Sequence, residues 1–402
     1  MQTSYNPRPL KQVFNQDNAW EHYLEAHPDE ISDNQIEVVE KMLACNTPAA
    51  GTFHYECEKE HCGHTKVVYC SCKGRACSAC GVKQTEQWIA KQLAILPSCE
   101  YQHITLTMPD TLWPAFKHNP ELLNKLFVCG NSPLLKWAKK RGIVIGIFCV
   151  LHTFGRQLNW NVHLHISVTR GGLDENNKWV PIYFKKNLIE KFWRQNVIRL
   201  LRKHYSELSL DNADYAHIKD YRQWSRFLDS QYRRKWRINM GKKTQDVGHT
   251  VRYLGRYFKR PPIASSRLRH YHGGDITFVY KDHRDGQYKT LTLSPEEMIR
   301  RVVSHIPTIK NFRMVRHYGF LSNRKRGSLL PIVYKELGQT EIATTYSISY
   351  AQMKKRFTNV DPFECILCRG RMCFVGFDVG LKGHELVTNR RKKMVKKRRL
   401  QS

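Results

Sequence analysis

The chain has 402 residues, with 66 Lys and Arg against 35 Asp and Glu, which gives a formal net charge of +31. Hydrophobic residues make up 41% of the sequence, enough for a buried core, and this excludes wholesale disorder. The charge excess is far larger than solubility requires. It favours a polyanion as the partner, and nucleic acid is the obvious one.

The N-terminal residues MQTSYNPRPLKQVF lack the apolar stretch of a signal peptide. The longest apolar run, residues 142–151, is too short to span a bilayer and indicates a buried strand. We therefore expect a cytoplasmic, nucleoid-associated protein with no membrane partner. In that compartment, 13 cysteines favour metal binding over disulfides.

Residues 1–52 form a predicted helical N-terminal arm. Apolar residues recur at helical spacing in 18–24 and again in 33–43. Nothing in this arm indicates a role other than packing or DNA contact.

Residues 53–99 contain a cluster of cysteines. Cys57 and Cys62 form one pair and Cys77 and Cys80 another, and each pair is followed by a glycine. Two such pairs can supply four thiolates to a structural Zn²⁺. Other residues nearby could join or replace these ligands: Cys70, Cys72, His61 and His64. The segment is also basic, which is typical of a DNA-contact module.

Two other interpretations of the cysteines are weaker. The segment has few large aliphatic residues, so a packed core of free thiols is disfavoured. No βαβ pattern surrounds the Cys77–Cys80 pair, so a redox dithiol is disfavoured as well.

Residues 100–325 show an α+β pattern. A strand is predicted over 101–109, helices over 110–139, and a buried strand over 142–152 that turns back into the next strand as an antiparallel hairpin. Further helices are expected over 185–205 and 225–236.

The strand over 159–172 alternates with a period of two. Its aliphatic positions, expected in the core, are Val162, Leu164, Ile166 and Val168. His163 and His165 then share the opposite face, where two imidazoles can hold one divalent ion. The alternative is a strand whose polar residues simply face solvent. A third ligand could be His152, on the adjoining strand, or Gln157, and we favour His152.

Residues 246–259 predict a helix that ends before Pro261. Tyr253 and Tyr257 are spaced i, i+4 and lie on one side, away from the predicted apolar stripe. The alternative is a pair of core aromatics. The cations around them suit phosphate binding: Arg252, Arg256, Lys259 and Arg260.

A hairpin over 275–293 and a helix from Ser294 complete this domain. The C-terminal region, 326–402, has a second Cys-x-x-Cys at Cys365 and Cys368, for which Cys373 and His384 could be further zinc ligands. The basic run over 390–399 predicts a tail that is disordered when free and clamps DNA.

Together, the histidine pair and the tyrosine pair indicate a chemistry. A divalent ion at the histidines would polarise a scissile phosphate, and a tyrosine could attack it to give a covalent phosphotyrosine that retains the energy of the ester. A second tyrosine one turn away would permit a second cleavage.

These motifs resemble the two-tyrosine rolling-circle transposases of the insertion-sequence-91 group, within the His-hydrophobic-His (HUH) nucleases. The resemblance covers about residues 53–327 and rests on the cysteine segment, on LHTFGRQLNWNVHLHISVTRGG and on YLGRYFKRPPIASSRL. It implies a central antiparallel sheet flanked by helices, dependence on Mg²⁺ or Mn²⁺, and nicking and rejoining of one DNA strand. It also implies that Tyr253 and Tyr257 are the nucleophiles and that His163 and His165 are the metal pair.

Two alternatives stay open. A plasmid rolling-circle replication initiator or a relaxase would use the same chemistry, although the sequence has no P-loop for a fused helicase. A non-catalytic, zinc-dependent DNA-binding regulator would explain the cysteines and the charge but not the histidines or tyrosines. For an enzyme, we expect single-stranded or hairpin DNA as the substrate.

Overall fold

The computed structural model describes residues 8–401 except 75, 242–247, 249–250, 253–254, 256–260, 283, 341–350, 353–354 and 356–357. Across that described part, no helix has the length and apolar character needed to cross a membrane.

The α-helices described are α1 (Pro9–Asn15), α2 (Ala19–Ala26), α3 (Asp33–Ala44), α4 (Ser78–Leu93), α5 (Trp113–Lys117), α6 (Leu122–Lys139), α7 (Lys186–Lys203), α8 (Tyr221–Ser230), α9 (Pro295–Ser304), α10 (Asn323–Glu336) and α11 (Gly383–Gln401). The strands are β1 (Gly51–Cys57), β2 (Thr65–Tyr69), β3 (Tyr101–Leu106), β4 (Val144–Phe154), β5 (Trp160–Leu173), β6 (Trp179–Pro181), β7 (Ile238–Met240), β8 (Leu268–His270), β9 (Ile276–Lys281), β10 (Tyr288–Leu293), β11 (Val315–Gly319) and β12 (Met372–Val379).

The central sheet has the order β11-β4-β5-β3-β7, with β6 pairing the end of β5. All its pairings are antiparallel. The predicted α+β class, with an antiparallel sheet flanked by helices, is confirmed. The predicted hairpin is the long β4–β5 pair at the middle of the sheet.

One face of the central sheet carries the largest core. The four aliphatic residues predicted to point inward from β5 are fully buried there, as the period of two required. Helices α5 to α8 contribute apolar residues to the same core. The other face carries a smaller core in which Phe148 and Val150 of β4 pack with residues of α4 and α10. The histidine positions lie on this second face.

The N-terminal arm belongs to a further core, shared with α9 and α11. Helix α3 begins at a capping box in which Ser32 and Gln35 satisfy each other's backbone amides. Gln35 then donates its amide to the carbonyls of Val303, at 3.1 Å, and Ile306, at 3.3 Å. The arm is thereby fixed to the C-terminal end of α9.

The two ends of the chain meet in a second sheet, of order β12-β1-β2. Residues 51–57 pair antiparallel with 372–379.

The basic run that the sequence predicted to be disordered lies in helix α11, which packs on α3. Arg390 forms ion pairs with Glu21 and with the buried Glu40, and Arg391 with Asp33 at 2.9 Å. The prediction of a disordered tail is therefore corrected. The segment is helical and docked because acidic residues of the N-terminal arm neutralise part of its positive charge.

Gly319 should be essential to the edge of the central sheet. Its φ is +63° and an added Cβ would lie 1.6 Å from the carbonyl oxygen of Ile145. We expect Gly319→Ala to lower the free energy of unfolding by more than about 1 kcal/mol. Gly327→Ala, in the open interior of α10, should raise it by about 0.5–1 kcal/mol. Denaturant titration of both variants measures the difference, and equal stability of the two would contradict this account.

Candidate functional site

Three histidines meet at the β4–β5 hairpin. His152 is the direct cross-strand partner of His163, and His165 is two residues further along β5 on the same face. The ring centroid of His152 lies 5.3 Å from that of His163 and 4.6 Å from that of His165. One ring nitrogen from each can lie within 4.8 Å of the other two, a spacing that suits a shared metal ion.

Burial favours the neutral form of two of these imidazoles, those of His163 and His165. Desolvation lowers the pKa of His163 to about 4, against a smaller opposing effect of its hydrogen bond to Asn161. Desolvation also lowers the pKa of His165 well below its usual value, and the neighbouring imidazoles add to the effect. A neutral imidazole is the form that binds metal, so His163 and His165 are ready to ligate at neutral pH. The alternative of two solvent-facing polar residues is excluded for His165, which is 7% exposed.

Hydrogen bonds select which ring nitrogen is available. His163 Nδ1 lies 2.7 Å from the carbonyl oxygen of Asn161 and donates to it, which leaves the Nε2 lone pair for a metal. His165 Nδ1 lies 3.2 Å from Nε2 of His103 on β3 and 3.3 Å from Oγ1 of Thr105. A proton on His165 Nδ1 satisfies these contacts and again leaves Nε2 for the metal.

Helix α9 and the residue that follows it hold the tip of the histidine hairpin. Arg301 donates to the carbonyl oxygen of Gln157 at 2.7 Å, and the ring of His305 contacts the carbonyl oxygen of Leu158 at 3.0 Å. Leu158 is fully buried with φ +61°. Gln157, the other third-ligand candidate of the sequence, thus lies in this braced turn, and His152 is the residue that completes the trio.

The predicted tyrosine helix is described only in part. Tyr253 and Tyr257, together with Arg256, Lys259 and Arg260, lie outside the described residues. Of the predicted DNA-contact residues, Arg252 is described and is exposed.

Two neighbours in sequence show where this segment is anchored. Val251 is fully buried, in the core on the histidine face of the sheet. Gly255 lies so close to α4 that an added Cβ would be 2.9 Å from Ile89.

The structure separates the four cysteines that the sequence grouped. Cys77 and Cys80 join Cys72 and Cys45, with Sγ–Sγ distances of 3.6 Å for Cys45–Cys80 and Cys72–Cys80 and 3.8 Å for Cys45–Cys77. Four thiolates about 2.3 Å from a tetrahedral zinc stand about 3.8 Å apart, so the residues fit the ion. We call these residues the first cluster.

Cys57 and Cys62 lie in another group, with Cys365 and Cys368, which we call the second cluster. The one-site grouping is corrected because β1 carries Cys57 towards β12 and away from α4. Cys373 and His384, suggested as partners of the C-terminal pair, are exposed and outside the cluster.

Two functional candidates were missed from the sequence. Cys45 lies in the arm, at the end of α3, 27 residues before Cys72, so sequence spacing gave no reason to include it. His103 had a usable signal, because it and Thr105 alternate with buried residues of β3 and so share the histidine face.

The sheet with its histidine trio, the thiolate clusters and the charge of +31 define a class: a zinc-domain protein that acts on nucleic acid. Two family models match the chain, "Putative transposase" over residues 146–328 and "Transposase zinc-binding domain" over 15–108. No solved structure gives a significant match.

Two curated proteins are similar over almost their whole length. The transposase for insertion sequence element IS801 of Pseudomonas savastanoi pv. phaseolicola is 44% identical over 383 residues, which cover 95% of this chain and 92% of that protein. The "Putative transposase y4qJ" of Sinorhizobium fredii is 26% identical over 368 residues, 88% of this chain and 92% of that one. The chain belongs to the transposases of the insertion-sequence-91 family, so DNA is its partner. The zinc of its zinc-binding domain has a structural role.

The low histidine pKa values predict an acid-labile fold. Burial lowers the pKa of His103 from 6.5 to about 4. The contribution of the neutral His103 side chain to the free energy of unfolding is therefore complete above pH 6.5. That contribution is lost as the pH falls from 6.5 towards 4, because the unfolded state takes up the proton first. We expect His103→Asn to flatten the fall of unfolding free energy across this window by up to about 1.4 kcal/mol per pH unit.

Urea titrations at intervals from pH 7.5 to 4.5 measure this slope. His384→Asn, on the exposed part of α11, is the control and should leave the slope as it is. Parallel curves for the wild type and His103→Asn would contradict the assignment.

Proposed function

We propose that this transposase nicks and rejoins single-stranded DNA through a 5′-phosphotyrosine intermediate, as in rolling-circle transposition, with His152, His163 and His165 as the ligands of a catalytic Mg²⁺ or Mn²⁺. The observation that carries the proposal is the convergence of three imidazoles, two of which, His163 and His165, have Nδ1 contacts that leave Nε2 available. When bound there, the ion would polarise the scissile phosphate and offset the charge of the transition state.

The nucleophiles we assign are Tyr253 and Tyr257. The support is positional: Val251 is buried in the same core as Val150, and Val150 is the cross-strand partner of His165. The segment that bears the tyrosines therefore starts on the histidine face. An attacking phenol has an unperturbed pKa of about 10, so it is protonated at neutral pH and must lose its proton as the P–O bond forms.

The tyrosine oxygen forms a bond to phosphorus as the bond from phosphorus to the 3′-oxygen of the preceding nucleotide breaks, and that oxygen takes up a proton to become a 3′-hydroxyl. The 5′-phosphate remains on the tyrosine, so a later attack by a DNA 3′-hydroxyl reverses the exchange without ATP. We assign Arg252, Arg256, Lys259 and Arg260 to the DNA phosphates. The protein would carry out this work on the bacterial nucleoid, in the cytoplasm.

The covalent step is tested with a labelled single-stranded oligonucleotide that carries the element's end sequence. With Mg²⁺ or Mn²⁺ we expect a protein–DNA adduct on a denaturing gel. Tyr253→Phe/Tyr257→Phe should give no adduct because no phenol remains to attack, and His163→Ala should lower adduct formation at least about 100-fold.

Tyr288→Phe is the matched control, since Tyr288 is an exposed tyrosine on β10, and it should form the adduct like the wild type. If the double Phe variant still forms the adduct, the nucleophile assignment is wrong. Full binding of duplex ends with no adduct from any variant would instead favour the zinc-dependent regulator.

The form of the DNA gives a second prediction. A nucleophile on a protein helix must reach an exposed strand, so single-stranded or hairpin ends should be cleaved and intact linear duplex should not. Cleavage of labelled oligonucleotides in each form measures this, and equal rates on duplex and single strand would contradict it. The affinity should fall steeply with salt: the logarithm of the binding constant should fall with the logarithm of the salt concentration, with a slope of about 0.7 per phosphate contact on a single strand. Arg252→Gln should lower that slope by less than the amount that one phosphate contact contributes.

A further inference from the structure

We propose that Cys57, Cys62, Cys365 and Cys368 bind a second zinc ion, which fastens the C-terminal region of the chain to its N-terminal module. Cys365 and Cys368 lie outside both spans matched by the family models, so the comparisons assign them nothing. The site does not depend on the tyrosine chemistry, and its test needs no DNA.

The sulfur positions suit a tetrahedral ion. Sγ of Cys57 lies 3.4 Å from that of Cys368, and Sγ of Cys62 lies 3.7 Å from that of Cys365. All four atoms lie within 4.8 Å of one another. These separations approach the roughly 3.8 Å edge of a zinc tetrathiolate and exceed by far the roughly 2.05 Å of a disulfide.

The backbone around the second pair is shaped for thiolates. The amide of Gly370 points at Sγ of Cys368, 3.4 Å away, and an added Cβ on Gly370 would come 3.3 Å from the sulfurs of both Cys368 and Cys57. A side chain here would crowd the two sulfurs, and glycine leaves them this space. Arg369, which lies between Cys368 and Gly370, has φ +59°. This left-handed conformation turns the amide of Gly370 towards Sγ of Cys368.

The first pair has a matching turn. The chain leaves β1 at Cys57 and returns through Gly63, whose φ is +59°, and the amide of Cys57 donates to the carbonyl oxygen of His64 at 2.9 Å. His64 Nδ1 lies 3.1 Å from Sγ of Cys365. An N–H donor there offsets part of the negative charge that four thiolates place on one ion.

The site would join segments that are far apart in sequence. Cys57 and Cys368 are separated by 311 residues, so a shared ion closes most of the chain into a loop and removes much of the freedom of the unfolded state. It would also hold β12 in register with β1. Helix α11, which follows β12, could then dock on α3.

Metal analysis of the purified full-length protein tests the proposal. We expect two zinc ions per chain in the wild type and one in Cys365→Ser/Cys368→Ser. Cys373→Ser is the matched control, because Cys373 is exposed on β12 outside the cluster, and it should retain two. One ion in both the wild type and the double variant would overturn the proposal.

A second measurement avoids dependence on the variant's folding. In the wild type under native conditions, an alkylating reagent should modify Cys373 at least about 10-fold faster than Cys365 or Cys368, because zinc masks the thiolates. After zinc is removed in denaturant without reductant, all three should react fully. Failure of Cys365 and Cys368 to react then would identify disulfides and refute the zinc site, and equal native rates for all three would refute it too.

Limited proteolysis reports the fastening itself. In Cys365→Ser/Cys368→Ser, cleavage between α10 and β12 should release the C-terminal region about 10-fold faster than in Cys373→Ser, since β12 is no longer held at both ends. Equal release in the two variants would show that the pairing of β12 with β1 does not need the ion.

Discussion

The register of the β4–β5 hairpin is the constraint on which the candidate site depends. A slip of one residue would turn His163 and His165 into the aliphatic core and expose Leu164 and Ile166. The fully buried aliphatic residues of β5 make such a slip very costly, so the hydrophobic face fixes the geometry of the polar face. The pairing of His152 with His163 follows from that register.

The rest of the molecule supports this hairpin from outside. Its turn is held by Arg301 of α9 and by His305, the residue that follows this helix. From α3, Gln35 donates its side-chain amide to Val303 near the end of α9, and Asn34 donates to Pro307 just beyond it. Helix α3 in turn packs against α11. The arm and the basic C-terminal helix therefore form a continuous series of contacts that leads to the histidine hairpin.

The histidine strand was predictable because its signal is local. A period of two needs only neighbouring residues, and the choice of His152 followed from placing the adjacent strand in a hairpin. The grouping of cysteines was not predictable in the same way. Cys77 and Cys80 have closer sulfurs available from Cys45 than from Cys57, and that choice depends on how α3 and β1 lie in space.

Spacing within a motif finds a pair of cysteines, but tertiary topology decides which pairs meet. The basic tail shows the same limit, since its charge predicted disorder while its partners, Glu21 and Glu40, lie near the opposite end of the sequence.

Helix α4 is important because the segment that carries Gly255 packs against it. The histidines stand on two interior strands of the central sheet, β4 and β5, whereas Gly255 of the tyrosine segment rests against Trp88 and Ile89 of α4. Helix α4 begins at Ser78, inside the first cysteine cluster. A structural zinc there would fix the start of α4 and, through it, the surface that the tyrosine segment packs on. Under the proposed mechanism the zinc domain would then have a mechanical role in the chemistry, because the segment that bears the proposed nucleophiles packs on α4 at Gly255.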